Sequence, residues 1–436
     1  MTFDVARNDL TVRLEKAVLV SVALPDRPWQ NDDPLDELRG LATTAGARVG
    51  GELTQKRHDV VPATYIGSGK LQELVELVQT LEADVVIFDN DLTPAQVRNL
   101  EKATSAKVID RSELILDIFA TRAQTTEARL QVELAQLEYS LPRLRKMWTH
   151  LSRYKGGIGL RGPGETQLEE DRRLASQKIR DLKTRLAEVQ ARKAREVRTR
   201  FEEHTVSLVG YTNAGKSTLM NALTGANVLV KDQLFSTLDT RTRQWHLKDW
   251  GRVLLSDTVG FIRDLPHHLV ASFRATLEET RQARLLLHVV DAGNPHAEKH
   301  IMAVKSVLAE IGCAEKPTVL VLNKIDSVAD ASSLLILRKQ YPRSVCVSAA
   351  KRIGLDELQD AVTGAISAEF EAAEVTAAAS NGKVLSYLSA HAEICDQEYR
   401  DDKVVVQCRL PRHLLHHIQG PDVQVRFLDC TPKPNG

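Results

Sequence analysis

The chain has 436 residues, 43% hydrophobic and 27% charged, with 58 basic and 58 acidic side chains that leave no formal net charge. That length exceeds one ordinary core, and the composition is that of a soluble globular protein with several domains. Five scattered cysteines (Cys313, Cys346, Cys395, Cys408 and Cys430) form no CxxC pair, which argues against a disulfide framework or zinc site and for a reducing cytosol.

The opening "MTFDVARNDL" has no apolar signal core, and no run approaches the roughly 18 apolar residues of a membrane span, so a cytoplasmic protein is expected. Residues 16–120 read as α/β. "AVLVSVAL" (17–24) and "ADVVIFD" (83–89) are short apolar strand runs, with helix-like segments between and after them. In "GKLQELVELVQTL", Leu71, Leu74, Val75 and Val78 share one helical face. The preceding "GSGK" lacks a glycine at phosphate-loop spacing and reads as a helix start rather than a nucleotide site.

Next, Leu130, Leu134, Leu137, Leu141, Leu144, Trp148 and Leu151 recur at four- and three-residue steps, the seam of a long packed helix that Pro142 interrupts. A second seam, Ile179, Leu182, Leu186 and Val189, follows in a helix running to about Arg200. Two seams joined by a loop predict an antiparallel helical hairpin, and an arm of about 25 residues projects some 40 Å. Its tip is "YKGGIGLRGPGETQLEE". Residues 157–162 of that stretch fit GxGxxG, but no strand precedes them and a helix follows, so the dinucleotide reading fails on context. Between Arg143 and Arg200 there are 17 Lys and Arg against 7 Asp and Glu. That local excess predicts a surface facing a polyanion, with a solvated helix face as the alternative. Arg153, Lys155 and Arg161 with Tyr154 suit RNA phosphates and stacking. Gly157 and Gly159 would let backbone approach RNA closely.

From Thr205 the chain alternates strand and helix again, predicting a mostly parallel sheet covered on both faces. The strand "VSLV" leads into "GYTNAGKST", Gly210, Tyr211, Thr212, Asn213, Ala214, Gly215, Lys216, Ser217 and Thr218, and then a helix. In that context the pattern is a phosphate-binding loop: backbone N–H groups wrap the phosphates, Lys216 reaches the β/γ-phosphates and the Ser217 hydroxyl ligates Mg²⁺. Within "LFSTLDTRTR", Phe235, Ser236, Thr237, Leu238 and Asp239 form the candidate switch, with Thr237 to reach Mg²⁺ and the γ-phosphate. Thr240 and Thr242 are weaker choices. "DTVG" (Asp257, Thr258, Val259, Gly260) ends a strand; Asp257 would hold Mg²⁺ through water and the Gly260 N–H would sense the γ-phosphate. "NKID" (Asn323, Lys324, Ile325, Asp326) selects guanine, because Asp326 can accept both N–H donors of its edge. Ser348, Ala349 and Ala350 suit the guanine O6 loop. Lys216, Thr237, Gly260 and Asn213 are the candidate catalytic residues. Where many GTPases carry a water-orienting glutamine this chain has Phe261, so slow intrinsic hydrolysis is expected. Asn213 sits where some GTPases bind K⁺; a helix-side hydrogen bond is the alternative.

"EAAEVTAAASNG" reads as a linker, and residues 383–430 as a small α/β tail with one clear strand, "KVVVQCRL". The histidines of "PHHL" and "HLLHHI" (His267, His268, His413, His416 and His417) lack partners at ligand spacing. The organisation expected is an N-terminal α/β domain over 1–122, a helical hairpin over 123–202, a nucleotide domain over 203–369 and a C-terminal domain over 370–436.

The motifs together resemble the HflX family of translational GTPases, within the Obg–HflX superfamily. "GGIGLRGPGETQLE", "GYTNAGKSTL", "LFSTLDT", "DTVGFIRDLPHHLVASFRATLEE" and "YIGSGK" carry the resemblance, which runs from about residue 16 to 365. "LDTRTR" departs from the proline-containing form common in that family, and the C-terminal tail matches only loosely. The resemblance implies a cytoplasmic GTPase that binds GTP and GDP with Mg²⁺, acts on the large ribosomal subunit with its hairpin toward the peptidyl-transferase region, and splits or rescues stalled or stressed ribosomes or acts in ribosome biogenesis. In that family the ribosome stimulates hydrolysis, consistent with Phe261. A monomer is expected. Two other readings remain: a GTP-dependent switch whose arm binds a protein partner, and an RNA-remodelling ATPase resting on "GSGK" alone.

Overall fold

The computed structural model describes residues 15–29, 33–147, 163–198, 204–225, 234–235, 237, 240–248, 250–263, 279–328, 331–367, 370–400, 402–411 and 422–428. Three sheets organise them, in chain order.

The first sheet has strand order β2-β1-β3-β4, all parallel: β1 (Lys16–Ala23), β2 (Arg48–Lys56), β3 (Val85–Phe88) and β4 (Lys107–Asp110). β1 is a continuous apolar run because both its faces are covered. Ala17 and Leu19 pack toward α1 (Asp36–Ala45) and α4 (Arg111–Arg122). Val18, Val20 and Val22 pack toward α2 (Ser68–Leu81) and α3 (Pro94–Thr104). α2 begins at "GSGK" with Gly67 as its N-cap, a helix start as read from sequence. Neither β2 nor β4 was apparent in the sequence. β2 lies at the sheet edge, mostly exposed and with two glycines, and β4 is only four residues long.

α5 (Thr126–Met147) and α6 (Pro163–Arg198) pack together through Leu134, Ile179, Leu182 and Leu186, flanked by Leu130, Leu137 and Leu141. α5 runs on through Pro142 rather than ending there. The turn around it is anchored from both sides: Tyr139 donates to Asp110 Oδ1 (2.5 Å) and Arg143 to Asp110 Oδ2 (2.6 Å). Asp110 also caps α4 by accepting the Glu113 N–H (2.9 Å), so one buried carboxylate joins the first sheet to the helical pair.

The second sheet has order β10-β9-β8-β5-β7-β6, parallel except for β6. Its strands are β5 (Thr205–Gly210), β6 (Arg241–Leu247), β7 (Gly251–Asp257), β8 (Leu285–Asp291), β9 (Thr318–Asn323) and β10 (Val345–Cys346). Its helices are α7 (Lys216–Thr224), α8 (Ala297–Glu310), α9 (Ala331–Gln340) and α10 (Leu355–Ser367). β5 lies between β8 and β7, where connections depart in opposite directions, the position at which open α/β sheets bind ligands.

The third sheet is antiparallel, with order β12-β13-β11-β14: β11 (Phe370–Ala378), β12 (Glu393–Arg400), β13 (Lys403–Pro411) and β14 (Val423–Phe427), with α11 (Gly382–His391). This corrects the linker reading of "EAAEVTAAASNG", most of which is β11, an inner strand of this sheet. Ala373, Val375 and Ala377 alternate inward at a period of two, and small side chains suffice because Val404, Val406 and Cys408 fill the layer beside them.

Two hydrophobic cores cross between sheets. One runs from Leu38, Ile115 and Phe119 into Val209, Phe235, Phe261 and Val304. The other runs from Leu208, Leu255 and Val289 into Val375, Val404 and Val406.

Candidate nucleotide site

The loop after β5 turns at Gly210 (φ 155°), where a side chain would collide with the Val289 carbonyl, and at Gly215 (φ 88°), where it would strike Asn323 Nδ2. Only glycine fits either position. α7 then starts at Lys216 with its first N–H groups facing the loop. Lys216 Nζ donates to the Gly210 (3.0 Å) and Tyr211 (2.9 Å) carbonyls. Burial pulls its ammonium down to about 8, against the opposing charge of Asp257.

Asp257, at the end of β7, draws the three residues read as the metal set together. Its Oδ2 accepts from Ser217 Oγ (2.6 Å) and from Thr237 Oγ1 (3.0 Å), and those two hydroxyls lie 2.8 Å apart. Burial pushes the carboxyl up, opposed by Lys216 and by both hydroxyls. Asp257 Oδ1 is buried without a partner among the described residues. An all-oxygen set with an unused carboxylate oxygen fits Mg²⁺, a hard cation that prefers oxygen and usually shares its shell with substrate phosphates. Among the described residues no group of three His, Cys, Asp or Glu could hold a metal, so such an ion depends on hydroxyls and substrate as well. Thr258 turns away and donates to the Leu208 carbonyl (2.6 Å). Val259 and Gly260 lead into Phe261, whose carbonyl accepts the Thr212 N–H (2.7 Å).

The base side is built from β9 and the turn after β10. Asn323 Nδ2 donates to the Ala214 carbonyl (2.9 Å) and its Oδ1 accepts the Ala349 N–H (3.0 Å), so this side chain braces the phosphate loop against the base loop. Lys324 (φ 61°) pairs with Asp291 (2.8 Å). Asp326, in the short 3₁₀ turn Ile325–Ser327, accepts from Ser348 Oγ (2.6 Å), which holds its carboxyl below the usual range. Ala350 follows in the turn closed by the Ser348–Ile353 bridge. Asn213 takes φ 60° at the crest of the loop, and Thr218 lies in the first turn of α7.

Ser236, Leu238 and Asp239, together with Arg153, Tyr154, Lys155, Gly157, Gly159, Arg161 and the paired histidines, lie outside the described residues. Thr240 and Thr242 are engaged elsewhere, with Glu279 (2.7 Å) and Ser256 (3.1 Å).

A second cluster, not apparent in the sequence, ties this loop to the first sheet. Tyr211 Oη donates to Glu37 Oε1 (2.9 Å) and accepts the Arg263 N–H (2.8 Å). Arg111 donates to Glu37 (2.7 Å), to Asp89 (2.7 Å) and to the Arg263 carbonyl (3.1 Å), while Arg263 reaches Asp89 (3.1 Å). Burial alone would raise the Glu37 pKa; the Arg111 and Arg263 charges outweigh it and hold the carboxyl low. Beside them the Leu234 N–H donates to Thr44 Oγ1 (3.2 Å) and Phe235 meets Phe119 edge-on at 4.6 Å. Asp89 and Arg263 both fall within runs that sequence reading singles out, but pairing across more than 150 positions leaves no local signal.

A glycine loop between strand and helix, a DTVG strand end and an NKID/SAA base side, on a mostly parallel sheet, define a P-loop GTPase fold with an additional N-terminal α/β unit. Family models described as "GTP-binding GTPase N-terminal", "GTP-binding GTPase Middle Region" and "50S ribosome-binding GTPase" match residues 32–120, 122–200 and 205–324. The chain is 46% identical over 402 residues to GTPase HflX of Escherichia coli, spanning 91% of this chain and 94% of the relative. It is 43% identical over 410 residues to GTPase HflX of Caldanaerobacter subterraneus, spanning 93% and 94%. The chain belongs to the HflX family of GTPases. Among solved structures, a GTP-binding protein from Sulfolobus solfataricus in complex with GDP aligns over 80% of this chain and 98% of that chain, at 24% identity and a TM-score of 0.44.

Proposed function

We propose that the chain hydrolyses GTP to GDP and phosphate at the loop Gly210–Thr218 and does so as a factor on the large ribosomal subunit. The convergence of Ser217, Thr237 and Asp257 on one carboxylate oxygen carries the catalytic half of this reading. Lys216 leaves the Gly210 and Tyr211 carbonyls to meet the β/γ-phosphates, and the Gly260 N–H follows the γ-phosphate. Ser217 and Thr237 would hold Mg²⁺ through their hydroxyls, with Asp257 behind them, and the ion would supply positive charge to neutralise the phosphates. Asp326, pre-set by Ser348, accepts both N–H groups of guanine. Asn213 at the crest of the loop suits a K⁺ contact, tested by comparing kcat in sodium and potassium buffers.

Family membership and the match to the "50S ribosome-binding GTPase" model support the ribosomal half. The basic segment 143–200, on the α5/α6 pair, supports contact with rRNA through Arg153, Tyr154, Lys155, Gly157, Gly159 and Arg161, directed at the peptidyl-transferase region. The role that follows is splitting or rescue of stalled ribosomes by a cytoplasmic monomer. No helix among the described residues is long and apolar enough to cross a membrane. Replacing Gly157 and Gly159 with alanine tests the arm: intrinsic hydrolysis stays near normal while ribosome stimulation is lost. A fall in intrinsic hydrolysis would instead tie that loop to the nucleotide.

A further inference from the structure

Phe261 can neither donate nor accept a hydrogen bond through its side chain, so another group has to hold the water that attacks the γ-phosphate. Several observations converge on Thr212. Its N–H donates to the Phe261 carbonyl (2.7 Å), and Tyr211 and Phe261 form a parallel bridge, which locks the loop against the DTVG strand end. A Cβ built on Gly260 would lie 2.9 Å from both Cα and Cγ2 of Thr212 and 3.0 Å from Lys216 Nζ. Thr212, through its Cα and methyl group, therefore closes with Lys216 around Gly260, and the latter two residues are the groups expected at the γ-phosphate.

Thr212 is 6% exposed, and its Oγ1 has no partner among the described residues. Buried hydroxyls are ordinarily bonded, and an exception calls for a water or a ligand. Four neighbouring hydroxyls are engaged: Ser217 and Thr237 with Asp257, Thr258 with the Leu208 carbonyl, and Tyr211 with Glu37. Thr212 also lines a cavity of about 220 Å³ together with Asn213, Asp36, Asp291 and His288. His288 is 1% exposed and its Nε2 is likewise unpartnered. The cavity has room for several waters next to the loop, and the two residues that carry these unsatisfied buried atoms are among those that line it.

We propose that the Thr212 hydroxyl orients the attacking water, accepting a hydrogen bond from it and donating its own proton's hydrogen bond to a γ-phosphate oxygen. This rests on reading Gly210–Ser217 as the phosphate loop. The water oxygen bonds to the γ-phosphorus as the bond from phosphorus to the β–γ bridging oxygen breaks. GDP leaves with that electron pair, one water proton passes to a phosphate oxygen, and Thr212 keeps its proton throughout.

Thr212→Val keeps the shape and removes the hydroxyl, and Thr212→Ser keeps the hydroxyl. In single-turnover intrinsic hydrolysis the valine variant falls about 10- to 100-fold, a loss expected for one oriented hydrogen-bonding group. Its affinity for GDP is unchanged and that for a non-hydrolysable GTP analogue falls about 10-fold or less with the lost γ-phosphate contact, while GDP–aluminium fluoride binds more weakly by a factor similar to the loss of rate. Serine restores most of the rate. A valine variant that hydrolyses at the wild-type rate overturns the proposal, and so does one whose GDP affinity falls in step with its rate, because Thr212 then only shapes the loop. Lys216→Ala separates the underlying reading: if it leaves GDP binding intact, the phosphate loop itself is misassigned.

Discussion

Asp257 is the residue on which the proposed chemistry turns, because one buried carboxylate oxygen accepts from both hydroxyls proposed to hold Mg²⁺. Asp257→Asn keeps the volume but removes the charge that orients them and would support Mg²⁺ through water. The Mg²⁺ concentration needed for half-maximal hydrolysis should rise about 10- to 100-fold, the usual effect of losing a group behind a metal's direct ligands. Titration of hydrolysis with Mg²⁺ reads this directly, and an unchanged midpoint removes Asp257 from the metal's surroundings. On the base side, Asp326→Asn exchanges a double acceptor for one donor and one acceptor, which suits xanthine better than guanine. GTP affinity is expected to fall about 100-fold or more while XTP affinity rises, measured by competition, since a site that loses a paired polar group rejects its former ligand strongly. These residues are legible in the sequence because each segment is local: a strand end followed by a short loop of fixed spacing. Thr212 is visible there too, but its unpartnered hydroxyl appears only when β5, β7 and the loop are brought together.

Among the elements, strands buried on both faces announce themselves and edge strands do not. β1, β5, β8 and β9 are continuous apolar runs, whereas β2 is mostly exposed and β11 is built from alanines that read as a linker until Val404 and Val406 are placed beside them. The α5/α6 seam follows from leucine spacing alone. Leu182 is 4% exposed in that seam, so Leu182→Ala should lower stability by about 2–5 kcal/mol, seen as a lower urea midpoint. Arg185→Ala, on the exposed face, should leave it unmoved. The link between the first two sheets has a pH signature. Glu37 has its folded pKa held below its unfolded value by Arg111 and Arg263, so its contribution is fully present above about pH 4.5 and is lost as pH falls toward the folded pKa. Urea midpoints should fall more steeply for the wild type than for Glu37→Gln as pH is lowered from about 5 to about 3, and alike between about pH 7 and pH 5. Arg111→Met leaves the two buried carboxylates of Glu37 and Asp89 to share Arg263 as their one cation among the described residues and is expected to cost about 3–5 kcal/mol at pH 7. Equal acid slopes in wild type and Glu37→Gln would mean the cluster is not the coupling between the sheets.

Across the whole molecule, two continuous cores and the Glu37–Arg111–Asp89–Arg263 cluster bind the nucleotide sheet to both neighbouring sheets. Tyr211, Leu234 and Phe235 of the phosphate loop and switch thus touch the N-terminal unit directly. A neutral chain with a basic excess over residues 143–200, apart in sequence from the nucleotide loop, suits the proposed contact with a polyanion. Such binding weakens steeply between about 50 and 200 mM salt through counterion release, while an apolar contact with a protein partner barely changes. Cosedimentation with isolated ribosomal subunits, with GDP and with a non-hydrolysable GTP analogue across that salt range, tests the proposed function most directly. The expected result is binding to the large subunit that requires the GTP analogue and declines with salt. Binding to neither subunit, or binding indifferent to the nucleotide, would contradict it.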